Sequence, residues 1–116
     1  MSFRILPATV WILLLNCSIR SKENIVNAPE QITRLKNLNV KQFNYINNTE
    51  GTNDLGLIAQ EADETIPEYV TKDEENPEIM WRVLYNKMTP MLIKCIQEQQ
   101  TKIEELEARI TQLENA

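Results

Sequence analysis

Cys17 and Lys22 are the side chains of this sequence whose types and spacing could do covalent chemistry, a candidate nucleophile five residues ahead of a lysine. A thiol starts at a pKa of about 8.5 and attacks as its thiolate, so a weak base is enough to activate it. A lysine can be that base only when its pKa is drawn well below about 10.4, which burial achieves by penalising the ammonium form. Arg20 lies two residues from Lys22, and like charge pushes in the same direction. The stretch reads Cys17-Ser18-Ile19-Arg20-Ser21-Lys22-Glu23-Asn24-Ile25. The plainer reading of the same residues is an inert apolar cysteine and a solvated surface lysine.

The rest of the composition narrows the chemistry. There is no histidine, which removes imidazole acid–base catalysis and most zinc sites. No phosphate loop or metal cluster is present, so a conventional turnover enzyme, a cofactor and a metal are not expected. The net charge of −5 and the lack of a basic face argue against nucleic acid as a partner. Cys17 and Cys95 stand far apart in unlike contexts, which suits a reducing compartment better than a disulfide framework.

Elements must position these residues, and 116 residues allow one small domain plus an extension. Ile5 to Leu15 is an apolar run of eleven residues, short of the ~20 that a transmembrane helix needs. It has the length of a signal-peptide core, and Cys17 after it has the look of a lipoprotein site, but Asn16 is not the small residue such a site wants. Residues 1–16 are therefore read as an apolar lead-in, with membrane export as the minor alternative.

Ala28-Pro29-Glu30 predicts a helix start, with Pro29 in the first turn and Glu30 at its positive end. Ile32, Leu35 and Leu38 follow at helical spacing, to an end near Asn37 or Asn39. Val40, Phe43 and Tyr45 favour a strand, and Leu55 to Ala59 a second one, giving a long-looped hairpin over residues 40–59. Gly56 inside that strand points to a bulge or a close backbone approach. Gln60 to Thr65 reads as a short helix stopped by Pro67, and Tyr69-Val70 as a short extended piece. Thr71 to Glu78 reads as an acidic loop and Met80 to Leu84 as a third strand.

From Tyr85 the pattern becomes a long helix. Ile96, Ile103 and Ile110 fall at heptad position a, and Leu92, Gln99, Leu106 and Leu113 at d. So narrow a stripe favours self-association over a lone amphipathic helix. Gln99 in the seam lowers stability and fixes register. Ile at a with Leu at d on its own favours two strands, so the spacing leaves dimer and trimer open. The organisation expected is lead-in 1–16, core 17–84 and coiled-coil helix 85–116, in an α+β fold of a small helix and a short antiparallel hairpin followed by that helix.

Four motifs in order give this sequence a resemblance. Arg20, Lys22, Asn24 and Ile25 match a first motif of the form S-D-x-R-x-K-x-N-I. Phe43 and Tyr45 match an aromatic pair. Gly56, Ile58, Ala59, Gln60, Glu61, Pro67 and Val70 match G-x-I-A-Q-E followed by proline and valine. Tyr85 and Met88 match the start of a long helix. Together they resemble the intramolecular chaperone auto-processing domain at the C-termini of phage tail spikes and tail fibres, of the endosialidase type.

The resemblance implies a homotrimer that assists folding of a fibre or spike client ahead of it in the same chain. It implies a virion tail-fibre precursor assembled in the host cytoplasm. It also implies self-release by a serine and a lysine, the cut falling just before the serine. Carried over, the nucleophile is Cys17, the base Lys22 and the scissile bond Asn16–Cys17. Two departures stand out: Cys17 replaces the serine and Ser18 the aspartate. Residues 1–16 are too short to be a client, so a fragment of a fibre gene or an altered start is expected. The alternatives are a coiled-coil adaptor without chemistry and a small exported protein.

Overall fold

The computed structural model describes residues 17–116. The apolar run Ile5 to Leu15, with the export and lipoprotein readings built on it, and Asn16 of the expected scissile bond lie outside the described residues. The described chain begins with a single 3-10 turn, Ile19–Ser21, held by the Ser18 carbonyl, which accepts from the Ser21 amide at 3.1 Å and hydroxyl at 2.8 Å. A run without helix or strand follows, with Asn24 in the left-handed region at φ 54°.

Helix α1 spans Ile32–Lys36, starting later than Pro29. The difference has a physical cause. The chain is still non-helical at Gln31 (φ −120°), and the amides that open α1 find an acceptor far along the sequence. The Glu98 carboxylate accepts from the Gln31 amide at 3.1 and 3.2 Å and from the Ile32 amide at 3.2 Å. Glu30 acts just outside the helix, accepting from the Thr33 amide at 2.8 Å and its hydroxyl at 2.9 Å.

Strands β1 (Lys41–Phe43) and β2 (Asp54–Gly56) pair antiparallel, with Gln42 opposite Leu55. Asn48 organises the long loop between them. Its side-chain amide donates to the Thr52 carbonyl and hydroxyl at 3.0 Å each, while its oxygen accepts from the Glu50 amide. Helix α2 spans Ala59–Thr65. Pro67 has no amide to continue it and opens a 3-10 turn, Pro67–Tyr69.

The expected third strand is one half of a second ribbon. β3 (Val70–Thr71) pairs antiparallel with β4 (Arg82–Val83), and the Leu84 amide extends the pairing to the Tyr69 carbonyl at 2.7 Å. Both halves overlap segments read as extended, Tyr69-Val70 and Met80 to Leu84, but strands of two residues carry too little periodicity for their pairing to be read.

Helix α3, Tyr85–Glu114, is the long C-terminal helix, and the fold is α+β. At 30 residues it is about 45 Å long. Its first turns carry the core. Met88, Met91 and Cys95 share one face and pack on Ala62 of α2 and on Ile66, which caps that helix and is fully buried. Leu35 of α1, Leu57, and Val70 and Val83 of the second ribbon close around them. Burial pushes the Cys95 thiol above its usual pKa, and the carboxylates of Glu98 and Glu30 add to the shift.

Beyond Cys95 the helix runs past the core. Leu92 and, further on, Ile96, Ile103, Leu106, Ile110 and Leu113 are all exposed, from 41% at Leu92 to 76% at Leu113. At about 100° per residue, this stripe lies on the flank beside the buried face, so one helix presents two adjacent apolar faces of which the fold uses one. Among the described residues no helix is long and apolar enough to cross a membrane.

Candidate functional site

Val70 and Met88 of the motifs belong to the core, and most of the other motif residues fall into two places. The first place is an open groove of about 690 Å³ between the β1–β2 hairpin, the start of α2 and the segment leading into α3. Phe43, Tyr45, Ala59, Gln60 and Tyr85 line it, and Gly56 stands behind it. Three stretches separate in sequence, residues 43–45, 56–60 and 77–85, thus converge on one surface.

Gly56 is required there by space. A Cβ at this position would sit 2.9 Å from the Tyr85 hydroxyl and 3.1 Å from Phe43 Cε1. The close approach lets the Tyr85 hydroxyl accept from the Leu57 amide at 2.8 Å, which ties the hairpin to the first residue of α3. Phe43 and Tyr45 meet edge to face, centroids 5.2 Å apart and planes at 89°, the arrangement that aromatic quadrupoles favour. Phe43 is the last residue of β1 and Tyr45 follows in the loop, so the course of the chain as it leaves the strand sets the pair. Glu61 lies on the exposed side of α2, in its first turn, where a carboxylate suits the positive end of the helix.

Sequence reasoning missed the opposite wall. Ile79, Met80, Trp81 and Arg82 complete the groove, with Met80 83% exposed. Lys72 supports this wall: its ammonium bonds Asp63 of α2 at 2.8 Å and lies 5.3 Å from the Trp81 ring centre. A single lysine between two such partners leaves no periodic signal. Among the described residues, the groove lining contains no cysteine, serine, lysine or carboxylate. Its chemistry is apolar and aromatic recognition, with Gln60, Arg82 and the Tyr85 hydroxyl as its polar points.

The second place is the segment of residues 17–25. Cys17, Arg20, Lys22, Asn24 and Ile25 are all exposed in the single chain and are not part of the groove lining. Ser18 takes the position before the 3-10 turn, its hydroxyl accepting from the Arg20 amide at 3.3 Å. This is what Ser18 contributes where the resembling motif has aspartate: a short oxygen acceptor ahead of a turn. Asn24, in the left-handed region, turns the chain between Lys22 and Ile25, a conformation that asparagine tolerates better than most residues. Among the described residues no group of three histidine, cysteine or acidic side chains is arranged to hold a metal ion.

Glu98 also escapes a reading of the sequence, where it falls on the outer face of the long helix. It is half-buried and holds the start of α1 from 67 residues away. A single glutamate on a charged helix face gives no sign of such a partner.

No curated protein matches the chain. A family model does: residues 17–71 match the family described as chaperone of endosialidase. The match opens at Cys17, takes in the segment of residues 17–25, α1, the hairpin and α2, and ends with β3. Over residues 17–71 the chain is therefore similar to the chaperone-of-endosialidase family, which supports the reading of this segment as an intramolecular chaperone domain.

Proposed function

We propose that this protein is an intramolecular chaperone that trimerises through α3, holds a tail-fibre or tailspike client in register, and releases itself before residue 17. The observation that carries the reading is the seam of α3. Its isoleucines and leucines are exposed in the single chain, yet they continue without a break from the helix that completes the core of the segment similar to the chaperone-of-endosialidase family. A solvent-facing stripe of this length and period is stable when it meets copies of itself. Assembly would then take place on the virion precursor in the host cytoplasm, with the client preceding Cys17.

The release step follows from the chemistry of the two side chains. Lys22 takes the thiol proton of Cys17, and the sulfur attacks the carbonyl carbon of residue 16. The bond from that carbon to the Cys17 nitrogen breaks, the nitrogen receives the proton from Lys22, and a thioester forms. Water hydrolyses the thioester, leaving a carboxylate on residue 16 and a free thiol on Cys17. Lys22 must lose its proton for this, and a lysine does so readily only when desolvated. Lys22 is exposed in the single chain. Association that covers it would couple release to completed assembly.

The test places residues 17–116 behind a trimeric fibre segment and follows the product by mass spectrometry. The expected product ends at the residue before Cys17, and Cys17→Ala and Lys22→Ala each abolish it. Cleavage unchanged in either variant rejects the pair. A variant with Ile96, Ile103 and Ile110 replaced by Asp that still cleaves at full rate rejects the coupling to assembly.

A further inference from the structure

We propose that Glu98 is a positioning residue, tethering the segment of residues 17–31 to the first turn of α3 beyond the core. This rests on the reading of residues 17–25 as the release segment. Three observations carry it. The Glu98 carboxylate uses both oxygens on backbone amides, those of Gln31 and Ile32. Charge-assisted bonds of this kind are stronger than neutral ones, and here they take amides that α1 leaves without an internal acceptor.

Next, Glu98 lies between the seam residues Ile96 and Gln99, one turn beyond the last core residue, Cys95. A groove of about 520 Å³ runs beside it, formed by Ile32 and Glu30 on one side and Gln99, Lys102 and Glu105 on the other. Whatever packs on Gln99 therefore also meets the start of α1.

Finally, the chain between Ile25 and Gln31 forms neither helix nor strand, and its far end is stiffened by Pro29 and by the Gln31 side chain, which donates to the Pro29 carbonyl at 3.0 Å. Holding Gln31 consequently limits where residues 17–25 can go. α1 has a second attachment, the ion pair of Arg34 with Glu68, so loss of Glu98 frees the leading segment without detaching α1.

The experiment measures amide hydrogen exchange and self-cleavage on the full chain behind its fibre segment, for the parent, Glu98→Ala and Glu98→Gln. In Glu98→Ala, exchange at Gln31 and Ile32 rises by about tenfold or more, the loss expected for bonds to a charged acceptor. Amides of α2 and the oligomeric state stay as in the parent, and cleavage slows by a similar factor. Glu98→Gln, which keeps one acceptor oxygen, lies between the two. Unchanged exchange at Gln31 and Ile32 in Glu98→Ala overturns the tether. Raised exchange with full-rate cleavage overturns its positioning role. A parent that does not cleave removes the release reading instead, and exchange alone then decides the tether.

Discussion

Gly56→Ala is a small change with a sharply defined consequence. At an unstrained position, replacing glycine by alanine stabilises a protein by about 0.4–1 kcal/mol, because the unfolded chain loses freedom. Gly56 does not have a positive φ, so its backbone would accept alanine. Space decides against it. The new methyl would stand 2.9 Å from the Tyr85 hydroxyl and 3.1 Å from Phe43, and Tyr85 has to swing away from the Leu57 amide that it holds at 2.8 Å. The lost hydrogen bond costs roughly 1 kcal/mol and the overpacking about 1–3 kcal/mol. The net expectation is a destabilisation of about 1–3.5 kcal/mol. In a Tyr85→Phe background the nearest obstacle is already gone, so the same substitution costs less by about 1 kcal/mol. Urea unfolding of the four proteins at one fixed concentration measures the coupling. Equal costs of Gly56→Ala with Tyr or Phe at position 85 would refute the argument from space.

Three further outcomes are expected. Ile103→Asp leaves the core at Met88, Met91 and Cys95 intact but stops association and lowers helical circular dichroism, because an unpacked helix end is marginal in water. Gln99→Ile, which makes the seam fully apolar, lowers the dissociation midpoint in sedimentation about tenfold or more. For Glu68, burial alone would raise the pKa, but its own backbone amide and Arg34 together hold it below the usual carboxylate value. Its contribution is therefore present above the unfolded value near 4.5 and is lost as pH falls through the folded one. The pair is well exposed, so Arg34→Met costs under about 1 kcal/mol at pH 7, and acid unfolding curves of the two proteins should converge as the pH falls through the lowered Glu68 value.

Residues with a strong local reason to be where they are can be read in the chain itself. Gly56 inside a strand points to a close approach, and the structure supplies the atoms that approach it. Pro67 ends α2 because it has no amide to give. The period of Ile96, Ile103 and Ile110 marks a long helix. Residues placed by distant partners are not legible. The start of α1 depends on Glu98, and the wall formed by Trp81 depends on Lys72 and Asp63. The Val70–Val83 ribbon joins strands of two residues, whose pairing comes from the packing of Val70 and Val83 on the core and not from any alternation. The chemistry of Cys17 and Lys22 is a different case. Residue types suggest it, but the burial that a lysine base needs is absent from a single chain and would have to come from neighbouring copies.

The distribution of the core along the chain also sets a clock. Ala62 and Ile66 are made first, and the surface that buries them arrives only with Met88, Met91 and Cys95. At about 5–20 residues per second, a ribosome takes about 2–7 s to travel from position 62 to position 95. During that interval α2 has no lid, and everything encoded before it has already been synthesised. A domain closed by its own long helix thus cannot become rigid before that helix is made, and the order of translation delays its folding until residues 62–95 have all been synthesised.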